Sequence, residues 1–312
     1  MVDVRYGREV LSMQAARDEL AERIARLVPE DGTAAPLPQL MLRRGSMPTE
    51  LGHGVSSPSF CVIAQGSKDI LLGESHFRYD PAHYLITSAA LPVATRIVEA
   101  SPERPFLGFV LRLDPALVGS VMVEAGHPAP RDTAAVRAID VSPLDAGLLD
   151  AVVRFVRLAE TPAEARFLAP LVTREIVYRL LLGEQGGRLA HITALGGQTH
   201  RIAAAVERIR RDFDRPLRIE AIASDLGMSV SGFHHHFKAL TAMSPLQFQK
   251  QLRLQEARRL LLAEDRDAAS VGRSVGYDDP SHFTREYKRL FGAPPLRHAG
   301  QLRDVAWENV GV

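Results

Sequence analysis

The sequence lacks several features that define particular protein classes. Its 312 residues include one cysteine, Cys61, one tryptophan and no run of eighteen apolar residues. A single thiol excludes an internal disulfide framework, and the absence of a long apolar run excludes a transmembrane helix. The first ten residues also lack the apolar centre of a secretory signal peptide. We therefore expect a soluble protein of the reducing cytoplasm.

Net charge is small, at +1, and by itself gives no indication of a polyanionic partner. The charges are, however, unevenly distributed along the chain. Residues 199–312 carry 18 Lys and Arg against 14 Asp and Glu, whereas residues 1–198 carry 20 against 23. This modest split is compatible with a nucleic-acid-binding C-terminal part and a separate N-terminal part.

The N-terminal part combines a strand-rich segment with flanking helices. Apolar residues at helical spacing predict a helix over 8–28. Seven or eight short apolar runs between residues 37 and 113, separated by turn residues, are typical of a β-sandwich or small barrel. Helices are predicted again over 144–159 and 161–182. Glycine-rich sequence over 183–197 then indicates a linker.

Two similar segments about fifty residues apart dominate the C-terminal part. Leu217–Leu240 and Asp267–Phe291 each contain a predicted helix, a glycine turn and a second helix. A helix beginning at Pro245 connects them. In each segment the second helix has one apolar side and one polar, partly basic side, which suits a helix that reads base edges in the major groove. The tandem predicts an all-helical DNA-binding domain whose two recognition helices lie about one turn of DNA apart.

These segments resemble the AraC/XylS family of transcriptional regulators. VGYDDPSHFTREYKRLFGAPPLR is similar to the family signature, and MSPLQFQKQLRLQEARRLL is similar to the family's linker helix. Upstream, SFCVIAQGSKDILLG, YDPAHYLITS and VEASPERPFLGFVLRLD resemble a cupin-like effector or dimerisation domain. The resemblance implies an α+β protein with a cupin-like domain over 1–190, a linker over 191–198, a DNA-binding domain over 199–299 and a tail over 300–312.

The resemblance also implies partners and site residues. Double-stranded promoter DNA is the expected partner, together with a small-molecule effector, RNA polymerase and a second copy of the chain. Arg285 is the candidate for a guanine O6/N7 contact. The family's base-contacting positions fall on Ser231, His234, His235, Pro280, Ser281 and Arg285. The other outward-facing candidates, of which the Lys and Arg residues suit phosphates, are His282, Thr284, Lys238, Lys250, Arg253, Lys288 and Arg289.

Three positions depart from the family pattern. Ala242 stands where glycine is usual, Gly272 where alanine is usual and Ala268 where isoleucine is usual. Glycine inside a helix costs about 1 kcal/mol relative to alanine. We therefore expect the first helix of the second unit to depend on packing for its stability.

Some patterns that could indicate metal or redox chemistry have simpler readings. The consecutive His234, His235 and His236 point about 100° apart on a helix and cannot converge on one metal ion. The N-terminal histidines stand singly, without the H-x-H pair of a metal cupin enzyme, so we expect no enzyme activity, metal or cofactor. Cys61 is either a small buried hydrophobe or a sensor of electrophiles or oxidants.

Two further questions stay open at the level of sequence. His83, Tyr84, Arg96 and Glu99 either line an effector pocket or alternate outward along their strands. The apolar stripe of the helix over 161–182 is explained either by core packing or by a dimer seam. The functional alternatives are an effector-modulated regulator, a constitutive regulator whose N-terminal domain only dimerises, and a cupin-type enzyme.

Overall fold

A computed structural model describes residues 2–127, 137–192, 198–263 and 266–308. The chain divides into two units, Met1–Arg201 and Ile202–Val312, called here the N-terminal and C-terminal units.

The N-terminal unit contains two antiparallel β-sheets. Its strands among the described residues are β1 (Gly32–Ala34), β2 (Leu40–Gly45), β3 (Gly52–Val55), β4 (Ser59–Gln65), β5 (Ser67–Leu72), β6 (Ser75–Tyr79), β7 (His83–Thr87), β8 (Pro92–Glu99), β9 (Phe106–Arg112) and β10 (Ile139–Pro143). The larger sheet has the order β1-β2-β9-β4-β7-β10, and the smaller sheet has the order β3-β8-β5-β6. Every recorded strand pair is antiparallel, which suits a sandwich built from sequential turns.

The larger sheet separates two environments because side chains alternate along each strand. On β4, Phe60 belongs to an apolar core shared with helices, whereas the neighbouring Cys61 points to the opposite face. That opposite face approaches the smaller sheet. At Gly45 the approach is so close that a Cβ would lie 2.6 Å from Cδ1 of Ile97. The space between the two sheets is therefore lined by residues that alternate with the core residues.

Helices cover the outer face of the larger sheet. They are α1 (Val2–Leu27), α2 (Pro115–Glu124), α3 (Ala146–Leu158), α4 (Pro162–Leu182) and α5 (Gly186–His191). Leu20 and Ile24 of α1 are fully buried, and Phe155 of α3 meets Phe109 of β9 edge-on at 6.3 Å. Each fully buried side chain of this size contributes about 1.5–3 kcal/mol. This layer of helices on a β-sandwich confirms the α+β class.

The C-terminal unit is helical throughout its recorded secondary structure. Its helices are α6 (Gln198–Arg211), α7 (Ile219–Asp225), α8 (Val230–Thr241), α9 (Pro245–Ala263), α10 (Ala268–Ser274), α11 (Pro280–Phe291) and α12 (Pro295–Glu308). The predicted tandem corresponds to α7–α8 and α10–α11, with α9 as the connecting helix. Both turns use glycine with positive φ, at Gly227 (63°) and Gly276 (89°). The second helix of each pair is capped at its start by a side chain that accepts a hydrogen bond from the first turn. The capping residue is Ser229 for α8 and Asp279 for α11.

Several elements differ from the sequence-based expectation. The short strands β1, β3 and β10 carry weak apolar patterns and were not expected. The glycine-rich stretch predicted to be a linker contains α5, and its residues 193–197 lie outside the described residues. Gly186 packs against the preceding helix, where a Cβ would lie 1.9 Å from the carbonyl oxygen of Leu181. The glycine there reflects close packing and not a flexible connection. Helix α12 also continues into the segment expected to be a tail.

The second helices of the two helix-turn-helix segments, α8 and α11, end differently. Helix α11 ends at Gly292 with φ 80°, whereas the equivalent cap of α8 is Ala242 with φ 58°. In both cases the backbone N–H of the cap residue donates to a carbonyl one turn earlier, 2.8 Å away. Only glycine adopts the left-handed conformation without a steric cost, so Ala242 holds strained backbone.

Replacing Ala242 with glycine should relieve this strain. We expect Ala242→Gly to stabilise the C-terminal unit by about 1 kcal/mol and to raise its melting temperature by about 4 °C. The reciprocal change, Gly292→Ala, should destabilise it by a similar amount. Scanning calorimetry on the two variants checks this, and an unchanged or lower melting temperature for Ala242→Gly contradicts it.

Candidate nucleic-acid interface

Helix α8 presents one apolar and one polar side. Phe233 and Phe237 are fully buried and pack against each other, with ring centroids 5.5 Å apart. Phe237 also meets Phe248 of α9 edge-on at 5.4 Å, which attaches α8 to the connecting helix. The opposite side carries Ser231, His234, His235 and Lys238, of which all but the partly buried His234 are exposed. Each of these predicted residues therefore lies on the accessible side of the helix.

Helix α11 repeats this arrangement in the second helix-turn-helix unit. Phe283 and Tyr287 are fully buried beneath it. Its outer side exposes Ser281, His282, Arg285, Lys288 and Arg289, whereas Thr284 is partly buried and donates its hydroxyl to the carbonyl of Pro280 at 2.9 Å.

The basic residues of α11 differ in how freely they can bind a ligand. Arg289 pairs with Glu286 of its own helix at 2.8 Å. Arg285 forms no ion pair with any described residue, and its Nε lies 3.4 Å from the carbonyl oxygen of Ser281. Arg285 is thus the arginine on this side of α11 whose guanidinium still has donors available to bind an anion or a base edge.

Gly272 is explained by the packing of this unit. A Cβ at this position would lie 3.0 Å from Cγ and Cδ1 of Phe283. The glycine lets α10 approach the buried aromatic ring of α11 closely. Glycine lowers the intrinsic helix propensity of α10. The same residue permits the close packing of α10 against α11.

Two basic residues expected to contact phosphates are used inside the protein. Arg253, predicted to contact a phosphate, donates its guanidinium to the carbonyls of Phe213 (2.7 Å), Arg215 (3.0 Å) and Gly276 (2.6 Å). Burial lowers its pKa below the usual range. Lys250 likewise pairs with the partly buried Glu286 at 2.9 Å. A guanidinium bonded to three carbonyls is held away from a bound phosphate.

The neighbouring residue Gln249 was not singled out from the sequence. Its amide donates to the carbonyls of Phe213 at 2.9 Å and Arg215 at 2.6 Å. No sequence signal identifies a glutamine with this role, because it depends on a loop more than thirty residues away in the chain.

The five effector candidates of the N-terminal unit do not form one pocket. Cys61 faces the space between the sheets, but Tyr84 belongs to the core on the helix side of the larger sheet. Arg96 bonds to Asp69 of β5. Asp69 and Arg96 alternate with the strand residues that face the space between the sheets, so both lie on the outer face of the smaller sheet. His83 pairs with Asp80 at 2.8 Å near a turn, and Glu99 is exposed at the end of β8. Strand alternation therefore places these candidates on different faces of the sheets, and their role in effector binding stays a prediction.

Residues near Cys61 that were not predicted include two cations. Lys68 pairs in register with Tyr79 and Ile97, both buried between the sheets, and Arg43 lies opposite Gly108 on the inward face of the larger sheet. Burial, and secondly the charge of Arg43, lower the pKa of Lys68 to about 8. Burial also raises the pKa of the Cys61 thiol, so the thiol is not activated in this state.

No carboxylate of the described residues forms an ion pair with Lys68 or Arg43. In contrast, Asp69 on the other side of β5 is fully buried beneath His76, Arg78 and Arg96, which hold its pKa well below the usual range. The two faces of β5 therefore differ. The outer face carries Asp69, whose charge is balanced by neighbouring side chains, whereas the inner face carries Lys68, which together with Arg43 of β2 has no paired carboxylate among the described residues.

Both units match known protein families. Residues 36–188 match the family described as the AraC-type transcriptional regulator N-terminus, and residues 222–300 match a helix-turn-helix domain family. The regulator ArgR of Pseudomonas aeruginosa is 28% identical over 137 residues, covering 44% of this chain and 42% of ArgR. The chain belongs to the AraC family of transcriptional regulators. The family's members matched here are regulators and not enzymes, so the enzyme alternative is rejected.

Other AraC-family relatives agree with this assignment. The arabinose operon regulatory protein of Escherichia coli is 33% identical over 97 residues, which cover 30% of this chain and 33% of that protein. The activator RhaS of Escherichia fergusonii is 27% identical over 166 residues, covering 52% and 58%. The matched segments thus span about a third to three fifths of these curated relatives.

Solved structures show the same fold over most of this AraC-family chain. ToxT of Vibrio cholerae with a bound unsaturated fatty acid superposes with a TM-score of 0.51 at 9% identity, covering 85% of this chain and 96% of ToxT. ToxT bound to (E)-4-(8-methylnaphthalen-1-yl)but-3-enoic acid gives a TM-score of 0.53, also at 9% identity, covering 85% and 98%. At this identity the likeness establishes the fold alone.

Among the described residues no helix is long and apolar enough to cross a membrane. The same residues contain no cluster of three or more His, Cys, Asp or Glu arranged to hold a metal ion.

Proposed function

We propose that the protein is a sequence-specific transcription regulator that inserts α8 and α11 into successive major grooves of promoter DNA. The observation that carries this proposal is the repeated helix-turn-helix geometry, in which each second helix buries aromatic residues and exposes short polar and basic ones. Such a helix can bring side chains to base edges while the rest of the unit contacts the backbone.

The residues divide into base-reading and phosphate-contacting groups. Arg285, whose guanidinium forms no ion pair with a described residue, suits the O6 and N7 acceptors of guanine. Lys238 and Lys288 are exposed at the far ends of their helices and suit phosphates. The remaining base-reading candidates are Ser231, His234, His235, Ser281 and His282. The first helix-turn-helix unit, whose candidate base contacts include His234 and His235, is then the source of this protein's particular sequence preference.

Removing Arg285 should weaken specific binding. We expect Arg285→Ala to lose about 10- to 100-fold in affinity for the upstream region of its own gene, measured by mobility shift. Lys238→Ala should instead weaken all sequences equally and reduce the salt slope by about 1. Arg112→Ala, an exposed arginine of the N-terminal unit, is the charge-matched control. The proposal fails if wild type forms no specific complex, or if Arg285→Ala and His234→Ala both bind normally.

For the N-terminal unit we propose a small anionic effector, bound between the sheets near Lys68 and Arg43. Buried cations are normally paired, because an isolated buried charge is costly. Here the partly buried Lys68 and Arg43 lie beside Cys61 and Tyr79 without a carboxylate. Both ToxT ligands named above are carboxylic acids bound to the same fold, which supports this class. Binding then alters DNA contact or contact with RNA polymerase through a coupling between sites.

A thermal-shift screen distinguishes a sensor from a scaffold. We expect one of a series of short-, medium- and long-chain carboxylic acids, at about 100 times its Kd, to raise the melting temperature by about 5–10 °C. Its methyl ester should give no shift. Lys68→Met should abolish the shift, whereas Arg166→Met, at an exposed arginine of α4, should retain it. If no acid shifts the wild type, or if acid and ester act equally, the anionic effector is contradicted and the scaffold alternative gains support.

We also propose that α4 forms a homodimer seam with a second copy of the chain. Ile176, Val177 and Leu180 are buried in the core, so core packing explains one side of the helix. The other side exposes large apolar residues at intervals of four, seven and four: Phe167, Leu171, Tyr178 and Leu182. The first two are 75% and 61% exposed. This stripe runs along about 22 Å of helix, and a contiguous exposed stripe of this kind is typical of an interface.

A charge in the centre of the stripe should disrupt the dimer. We expect Leu171→Glu to raise the dimer dissociation constant at least about 10-fold, because burying one leucine contributes about 1.5–3 kcal/mol. Val123→Glu, at an exposed valine of α2, is the matched control and should have no effect. Sedimentation equilibrium measures both. A monomeric wild type, or an unchanged Leu171→Glu dimer, excludes this seam.

A further inference from the structure

We propose that Arg253 is a positioning residue that sets the phase between the two recognition helices, so that the protein reads its two half-sites at one spacing only. The inference rests on the proposed function, because it concerns how the two DNA-reading helices are held. It assigns a new role to a residue whose place in the family resemblance suggested only a phosphate contact.

The guanidinium joins backbone from both helix-turn-helix units. Phe213 and Arg215 lie in the loop that enters α7, and Gly276 forms the turn between α10 and α11. Arg253 lies in α9, between the two units, and donates Nε and Nη2 to the first loop and Nη1 to the turn of the second unit. One rigid planar group therefore bonds to one loop from each helix-turn-helix unit.

The two loops are in direct contact at this point. A Cβ on Gly276 would lie 2.1 Å from the carbonyl oxygen of Asp214 and 2.8 Å from the Arg253 guanidinium. The ring of Tyr277 lies beside the same guanidinium, with its centroid 5.8 Å from Cζ. The backbone of one unit therefore packs directly on the backbone of the other, with arginine closing the contact.

Two other polar side chains of α9, Gln249 and Lys250, each reach only one side. Gln249 bonds to Phe213 and Arg215, which belong to the first unit. Lys250 pairs with Glu286, which belongs to the second. Arg253 alone among these three residues bonds to both. Its removal would leave three carbonyls without this donor and would release the turn that precedes α11 by four residues.

Lysine cannot replace arginine in this arrangement. An ammonium group is a compact point charge, whereas the guanidinium has diverging donors held in one plane. Arg253→Lys therefore keeps the charge and most of the aliphatic stem but cannot bond simultaneously to both loops at these distances. This separates a positioning role from an electrostatic one.

The test uses the full-length chain and DNA with two half-sites located by footprinting. Probes carry the native spacing, a two-base-pair insertion that rotates one half-site by about 70°, or one scrambled half-site. We expect wild type to lose at least about 10-fold in affinity on insertion. Arg253→Lys should lose less than about 3-fold on insertion, while its affinity for the single-half-site probe stays within about 2-fold of wild type. Arg210→Lys, which replaces an exposed arginine of α6 that pairs with Glu207, is the control and should behave as wild type.

A second measurement needs no DNA. In a Cys61→Ala background, spin labels at Lys238→Cys and Lys288→Cys report the distance between α8 and α11. The distance distribution should be narrow with Arg253 and clearly broader with Arg253→Lys.

The outcomes separate the two proposals. An unchanged distribution together with wild-type spacing preference in Arg253→Lys overturns the positioning role but leaves DNA binding intact. Parallel loss of full-site and single-half-site binding also overturns it, because it indicates a local defect. Absence of any specific wild-type complex contradicts the proposed function itself.

Discussion

The contact between the loop at residues 213–215 and the turn at Gly276 constrains the whole C-terminal unit. Two stretches of backbone meet where a single methyl group would clash with the carbonyl oxygen of Asp214. Because backbone carbonyls must find donors when they are buried, the contact needs a polar group that can reach several of them at once. The Arg253 guanidinium meets that need, and glycine makes the approach sterically feasible. The two recognition helices inherit their relative position from this arrangement.

The two helix-turn-helix units solve the same folding problem with different residues. Both cap their second helix with a side chain and bury paired aromatic rings beneath it. The second helix-turn-helix unit ends its helix with glycine and presents Arg285, which forms no ion pair with a described residue. The first ends with a strained Ala242 and presents histidines. Similar backbone geometry therefore carries two different reading surfaces, and the difference lies in side chains that the fold leaves outside.

In the N-terminal unit, strand alternation performs a comparable separation. One face of the larger sheet is committed to the helices, and this accounts for the burial of Tyr84 and Phe109. The opposite face carries Cys61 and faces Lys68 of the smaller sheet. On β5, neighbouring residues face different environments: Asp69 is neutralised by three cationic or titratable side chains, while Lys68 has no carboxylate partner in the part of the chain that the structure describes. A ligand site between the sheets would then depend on charge and not on the reactivity of a buried thiol.

The sequence by itself determined what depends on local periodicity. Helical spacing, capping residues and glycine turns identified the tandem and its connecting helix, and alternating apolar residues identified seven of the strands. Exposure of Arg285 and Lys288 followed from the same helical period. Only the tertiary structure decided the contacts of Arg253 and Gln249, the face on which Lys68 lies and the faces of the effector candidates. These depend on which distant carbonyl or strand lies opposite each side chain. Sequence spacing gives the side of an element on which a residue lies, but its partner across space is set by register and packing.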